Sequence, residues 1–299
     1  LGGGPAGLEC ALTLGKRGYR VILAEASAEL GGRVTRESKL PGLAEWGRVR
    51  DHRVVMLEKL KNVTFYLGSS LTAEDILEFS DDDKFGFSHI FLSTGATWRR
   101  DGIAREHREP IPGLEHVSVL TADDIMDGIS AHGKVVIFDD EHYYMGGVLA
   151  EKLRLDGHDV KLVTPAPDIS TWTHNTMEQG RIQKNLLELG VELATHHNLA
   201  SVHPGAVELA CVFTDRRVRY SCDTLVLVTE RQPNDEIYRT MQADPGGVAK
   251  SGLKTIQCIG DCLAPGIIAA SVHSGHLAAR EFEADVPGNV PFLRERVML

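Results

Sequence analysis

The sequence has no C-x-x-C pair, no basic block and no apolar run near the roughly 20 residues that span a bilayer. Its five cysteines, Cys10, Cys211, Cys222, Cys258 and Cys262, are scattered and odd in number. That excludes a disulfide framework and a zinc knuckle, and suits reduced thiols in a cytoplasm. Cys258 and Cys262 lie four apart, but the other ligands of an iron–sulfur cluster are not in the chain, and no metal site is expected. Lys and Arg together number 32 against 42 Asp and Glu, a formal net charge of −10. A nucleic-acid partner is therefore not expected, because phosphate backbones are held by clustered cations that displace counterions. The N-terminus carries glycines where a secretory signal would carry its apolar segment. With 299 residues, 42% apolar and 25% charged, the chain is long enough for two domains with full cores.

What is present begins at once. Gly2, Gly4 and Gly7 stand in G-x-G-x-x-G order, and Ala11-Leu12-Thr13-Leu14 follows in helical register. Gly2 allows a tight turn out of a strand, Gly4 with Pro5 and Ala6 lets backbone approach a pyrophosphate, and Gly7 lets the helix pack close to the sheet. The strand Val21-Ile22-Leu23-Ala24 ends at Glu25, an acid placed to accept ribose hydroxyls, with Ala26 beside it. Gly31-Gly32-Arg33 adds flexible backbone and a cation suited to clamping a diphosphate.

The fingerprint needs a strand before the turn, and Leu1 alone stands in that place. A central strand cannot be absent without orphaning the hydrogen bonds of its neighbours. The sequence is accordingly read as a fragment whose first strand lies ahead of Leu1.

Further on, a helical segment is expected from Ala44 to about Leu60, a short strand over Asn62–Tyr66, and a helix capped by Thr72. Asp81-Asp82-Asp83-Lys84 reads as a solvated loop tip. The strand His89–Leu92 closes in Thr94-Gly95-Ala96, small residues brought to the dinucleotide edge of a sheet. The pattern restarts with the strand Lys134–Phe138, a helix from about Val148 to Asp156, and Gly157–Val163, which repeats Gly18–Leu23. In this second βαβ unit the phosphate turn is spoiled. Asp139-Asp140-Glu141-His142-Tyr143-Tyr144-Met145-Gly146-Gly147 puts three carboxylates and two tyrosines where glycines would lie, so a nicotinamide nucleotide is not expected there. A helix is expected from Met177 to Leu189, and strands near Val207–Phe213 and Thr224–Thr229. The strand Thr255–Asp261 then ends in Gly260-Asp261 ahead of a helix from Ile267, the pattern of an acid facing the diphosphate or ribityl region of a flavin nucleotide.

These residues resemble the flavoproteins of the glutathione reductase type. More closely, the chain resembles the carboxy-terminal half of trimethylamine, dimethylamine and histamine dehydrogenases. Gly2–Glu9, Glu29–Val34, Thr94–Arg99, Phe138–Gly147 and Ser170–Thr173 carry the resemblance over nearly the whole chain. It implies an α/β fold of two Rossmann-like three-layer domains, the second inserted in the first: residues 1–128 and 231–299 binding FAD or ADP, and residues 129–230 as an NAD(P)-binding-like domain with a degenerate phosphate loop. It implies ADP where relatives hold FAD. It also implies an upstream β/α barrel with FMN and a 4Fe-4S cluster, an electron-transferring flavoprotein as partner, and allows a homodimer. No catalytic residue is expected in this chain, His142, His273 and His276 reading as packing residues. An NAD(P)H-dependent flavin reductase resembling 2,4-dienoyl-CoA reductase and a non-catalytic docking module are the alternatives.

Overall fold

A computed structural model describes residues 1–80 and 85–284; the loop tip expected at Asp81–Lys84 lies outside the described residues. The chain forms two compact units, the first made of Leu1–Ser38, Glu45–Ala96 and Pro233 onward, the second of Thr97–Gln232 with the short piece Lys39–Ala44.

The first unit opens with helix α1 (Pro5–Lys16), started by Pro5, whose fixed φ suits a first helical turn, and buried over Pro5–Gly15 save Glu9. A helix apolar on nearly every side belongs inside a core. Gly18, at φ +91°, ends it in the left-handed conformation, with Tyr19 N–H returning to Leu14 O at 3.2 Å. Strand β1 (Val21–Ala24), helices α2 (Arg33–Glu37) and α3 (Gly47–Glu58), strand β2 (Val63–Tyr66), helix α4 (Ala73–Ser80) and strand β3 (His89–Leu92) follow. Thr72 and Asp75 cap α4 reciprocally, Asp75 N–H donating to Thr72 Oγ1 and Thr72 N–H to Asp75 Oδ2.

The chain leaves this unit through β4 (Ala96–Trp98). In the second unit β5 (Ser118–Thr121) leads into α5 (Ala122–Met126), then β6 (Lys134–Asp139), α6 (Met145–Leu155), β7 (Asp159–Val163), α7 (Gln179–Glu188) and β8 (Glu192–Ala194). An antiparallel meander, β9 (His197–His203), β10 (Ala206–Cys211) and β11 (Arg217–Ser221), precedes β12 (Thr224–Val228). Five strands form a parallel sheet in the order β5-β12-β6-β7-β8. Its interior strand β12 is buried at every residue, as an unbroken aliphatic run requires when both faces are covered. Phe138, Leu225 and Leu227 of this sheet meet Leu199, Val207 and Leu209 of the meander in one core.

The boundary expected after residue 128 falls instead at 96/97. Ser118–Thr121 runs in register with Thr224–Leu227, so residues 97–128 belong to the inserted unit. A four-residue strand does not announce which sheet will receive it. The helix expected from Met177 starts at Gln179, since Met177 sits at φ +60° after a 3-10 turn over Thr171–Thr176.

After β13 (Arg231–Pro233) the first unit resumes with α8 (Glu236–Ala243), α9 (Pro245–Lys250), β14 (Thr255–Cys258) and α10 (Ile268–Glu281). Here β1 pairs with β2 and β14 with β3, both in parallel. Leu1 and Gly2 stand between the two pairs: the Leu1 amine donates to Phe91 O at 2.7 Å, Ser93 N–H to Leu1 O at 2.8 Å, and Gly2 N–H to Ala24 O at 2.8 Å. Among the described residues no helix is long and apolar enough to cross a membrane.

Candidate functional site

The glycine turn is built by contacts that exclude side chains. Gly2 has φ +97°, and a Cβ on it would stand 2.4 Å from Ser93 O; one on Gly7 would stand 1.9 Å from Gly2 O. Ser93 Oγ donates to both Leu1 O and Gly2 O at 2.8 Å. Nothing in the motif announces this serine, which holds the turn against β3. Gly4, by contrast, is open: a Cβ there would meet nothing within 4 Å. It forms the N-cap of α1 with no side chain bonded over the helix end and no acid in the first turn. The first intrahelical bond runs from Leu8 N–H to Gly4 O. The N–H groups of Ala6 and Gly7 therefore have no intrahelical acceptor, and with the helix dipole they present an anion site.

Glu25 closes one side of this turn. Its Oε2 accepts Gly3 N–H at 2.6 Å, while Oε1 accepts the N–H and Oγ of Ser27, each at 2.8 Å. The carboxylate is thus fixed beside the turn at the end of β1, with a lone pair on Oε2 left for a hydroxyl donor. Ala26 is exposed next to it. On the other side Gly31 N–H donates to Gly3 O at 2.8 Å, and Gly32, at φ +53°, would bring a Cβ within 3.0 Å of Gly4 Cα.

Arg33 begins α2. Its Nε meets Glu37 Oε1 at 2.7 Å, and its Nη1 meets Asp261 Oδ2 at 2.7 Å and Gly266 O at 2.8 Å. Glu37 is buried, a partner absent from the sequence reading although Arg33 and Glu37 stand at the i,i+4 spacing that signals such a pair on a helix. Two carboxylates balance the guanidinium, so an anion arriving at α1 meets N–H dipoles more than an uncompensated cation. Asp261 is fixed in turn through Oδ1, which accepts Ser271 Oγ at 2.7 Å and Gly266 N–H at 3.1 Å. Gly260, at φ +62°, would place a Cβ 2.4 Å from Ala6 Cβ, and Gly275 one 2.1 Å from Ala6 O. The Gly260-Asp261 turn and α10 therefore press directly on the first turn of α1. Thr94 Oγ1 donates to Asn234 O at 2.5 Å, and Gly95, at φ +80°, accepts Asn234 N–H at 3.0 Å. Ala96 opens β4 just beyond.

Cys258 and Cys262 are both buried; burial and the neighbouring Cys262 push the Cys258 thiol up to about 12, so it stays protonated. His276 Nδ1 lies 2.9 Å from Glu9 Oε1, and Arg53 Nε 2.7 Å from Glu9 Oε2. Burial pushes the Glu9 carboxyl up, but these partners outweigh it and hold it below its usual range. Here His276 orients a carboxylate between helices.

The corresponding turn of the second unit is filled from within. Asp139, fully buried, accepts Glu141 N–H at 3.1 Å and His142 N–H at 3.0 Å on Oδ1. A Cβ on Gly146 would stand 2.5 Å from Asp139 Cγ, so the carboxyl lies against the start of α6. Burial pushes it up to about 6. Asp140, also fully buried, accepts Glu106 N–H at 3.0 Å and faces His142 Nε2 at 3.2 Å. Tyr143 and Tyr144 stack edge to face at 4.5 Å, and Tyr144 is hydrogen-bonded to Thr176 and Glu178. The sequence suggested acids repelling a pyrophosphate. The geometry differs, because Asp139 and Asp140 point inward and a protein carboxyl occupies the N–H groups of the turn itself.

The chain is 35% identical to dimethylamine dehydrogenase of Hyphomicrobium sp. (strain x), over 99% of this chain and 43% of that protein. It superimposes with a TM-score of 0.93 on histamine dehydrogenase from Rhizobium sp. 4-9, 43% identical, covering 100% of this chain and 46% of that one. The 6-hydroxypseudooxynicotine amine oxidase of Pseudomonas geniculata N1 gives 0.89 at 41% identity, over 95% of this chain and 41% of that one. The chain spans less than half the length of these relatives. The family model described as pyridine nucleotide-disulphide oxidoreductase matches residues 1–276, and the chain belongs to that family, as the counterpart of the carboxy-terminal half of the amine dehydrogenases within it.

Proposed function

We propose that the first unit holds an adenine nucleotide, ADP, as a structural ligand within an amine dehydrogenase. Gly2, Gly4, Pro5, Ala6 and Gly7 would receive the diphosphate at the head of α1, Glu25 with Ala26 the ribose, and Gly32 and Arg33 the outer phosphate edge. Thr94, Gly95, Ala96, Gly260 and Asp261 would line the far side. A 2′-phosphate is disfavoured by the Glu25 charge. Bound nucleotide stabilises the fold through its binding free energy, which grows with the logarithm of its concentration over Kd, and does no chemistry of its own.

One observation carries the choice of ADP over FAD: the Asp139 carboxyl accepts the N–H groups of the second turn. A nicotinamide nucleotide excluded there delivers no hydride, and a flavin ring in the first unit would have nothing to accept. The redox steps then belong to an upstream barrel bearing FMN and a 4Fe-4S cluster, which oxidises a small amine by N-demethylation or deamination. Electrons pass to an electron-transferring flavoprotein, and the cytoplasm is the compartment.

Denaturing the purified chain and identifying what it releases by absorbance and mass spectrometry tests this reading. Colourless ADP is the expected product. A yellow supernatant containing FAD overturns it in favour of an NAD(P)H-dependent reductase, and a chain that neither releases nor binds ADP overturns it in favour of a docking module.

A further inference from the structure

Cys258 ends β14, and Cys262 ends the 3-10 turn Gly260–Cys262 that follows it. Between them the chain reverses at Gly260, whose φ of +62° a glycine adopts at little cost. The reversal returns both side chains to one apolar core, where they pack with Ile90, Leu92, Met241 and Leu253. There Cys258 S–H donates to Cys262 Sγ, so the two sulfurs are in contact. The pair is closed off from solvent, with Cys258 7% and Cys262 2% exposed. Cys262 is tied outward as well. Its S–H reaches Asn234 O at 3.5 Å, and Thr94 Oγ1, which donates to the same carbonyl, lies 3.1 Å from Cys262 Sγ. Asp261, between the two cysteines, accepts from Arg33 Nη1 and Ser271 Oγ, each at 2.7 Å. A change at Cys262 is therefore felt by Thr94 on one side and by Asp261 on the other.

Burial acts oppositely on the two forms this pair can take. It opposes the thiolate of Cys258, so the reduced pair reacts slowly. It does not oppose a disulfide, which is neutral, has no proton to donate and suits an apolar core. Sulfurs already in contact also make closure of the bond an intramolecular step, with an advantage over any thiol in solution.

We propose that Cys258 and Cys262 form an oxidation site, in which a disulfide closes between them and loosens the contact of Cys262 with Thr94 and Asn234. The oxidant is a hydroperoxide. One sulfur attacks the outer peroxide oxygen, the O–O bond breaks, the alcohol leaves with a proton, and a sulfenic acid remains. The second sulfur attacks the first, the S–O bond breaks, and water leaves with the second thiol's proton. Two thiols thus give up two electrons and two protons, and the hydroperoxide becomes an alcohol and water. Because the second thiol is in contact with the first, the sulfenic acid is consumed before further oxidation. The bridge takes the S–H of Cys262 from Asn234 O and draws its sulfur toward β14. Thr94 and Asp261 line the nucleotide site proposed above, and on that reading the oxidised chain binds ADP more weakly than the reduced one.

The test treats the reduced, purified chain with hydrogen peroxide, alkylates the remaining thiols in denaturant and maps the products by mass spectrometry. The expected product is a bridge between Cys258 and Cys262, reversed by dithiothreitol, formed equally in Cys211→Ser and lost in Cys258→Ala and Cys262→Ala. Mapping on the parent chain decides the matter even if a variant fails to fold. Sulfinic or sulfonic acid at either cysteine without a bridge overturns the proposal, as do disulfides that form only between chains. Should both thiols stay reduced in water, the treatment is repeated in urea below the unfolding midpoint, and two alkylated thiols there overturn it. Calorimetry then compares ADP binding by the bridged and reduced chains. The bridged form is expected to bind about fivefold or more weakly, the effect of roughly one hydrogen bond, with recovery in dithiothreitol. Equal affinity of the two forms overturns the link to Thr94 and Asp261. Absence of ADP binding in both forms overturns the nucleotide reading instead, while a mapped bridge still upholds the oxidation site.

Discussion

Glu25 Oε2 accepts the backbone N–H of Gly3 at 2.6 Å. The acid of the fingerprint therefore shapes the glycine turn as well as standing ready for a ribose, because one oxygen anchors the turn while the other is held by Ser27.

Replacing Glu25 tests both roles. Glu25→Gln keeps an oxygen for Gly3 N–H but loses the charge, so the fold should hold while ADP binding, measured by calorimetry, weakens about tenfold or more, the usual loss for a charge-assisted hydrogen bond. Glu25→Ala removes the acceptor of Gly3 N–H too, and should also lower the melting temperature. Unchanged ADP affinity in both variants would remove Glu25 from the site.

Packing at the head of α1 gives a second expectation. Gly275→Ala places a methyl 2.1 Å from Ala6 O, backbone that cannot step aside, and should destabilise the chain by about 1–3 kcal/mol or more. Gly180, within α7, would put a Cβ into open space, and Gly180→Ala should stabilise by about 0.5–1 kcal/mol. Thermal melts of the two variants should therefore move in opposite directions.

Asp139 supplies a pH dependence. Its folded value of about 6 lies above the ordinary 3.8 because burial disfavours the charge, a cost that nearby His142 reduces and Asp140 increases. Between these values the folded chain binds more protons than the unfolded one, so this group's contribution falls as pH rises from about 4 through 6 and is lowest above that. Asp139→Asn keeps an oxygen for Glu141 and His142 N–H and does not ionise. The melting temperature of the variant minus that of the parent should grow from pH 4.5 to pH 7.5. A difference that is flat, or shrinks with pH, would show that Asp139 is not neutralised by burial.

Much of this was legible in the chain because it rests on local chemistry. Glycines that no side chain could replace, a proline at a helix start, Thr72 followed by Asp75, and aliphatic runs of strand length carry their own instructions. Gly2, Gly4, Gly7 and Glu25 fall around the head of α1 because turn, helix and strand end are fixed within a few residues of each other, whereas Asp261 reaches it only through the packing of Gly260 and α10 against Ala6.

Relations across long separations were decided by tertiary structure alone. Ser93 holds the turn through Gly2 O, and Gly275 meets Ala6, across gaps that no local pattern encodes. Ser118–Thr121 joined the inserted unit because β12 offered an edge in register, a choice set by a partner strand a hundred residues on. The sequence by itself determined that acids and tyrosines replace glycines after β6, since residue type suffices for that. That Asp139 turns inward and takes the N–H groups of its own turn depended on burial, which only the packed chain defines.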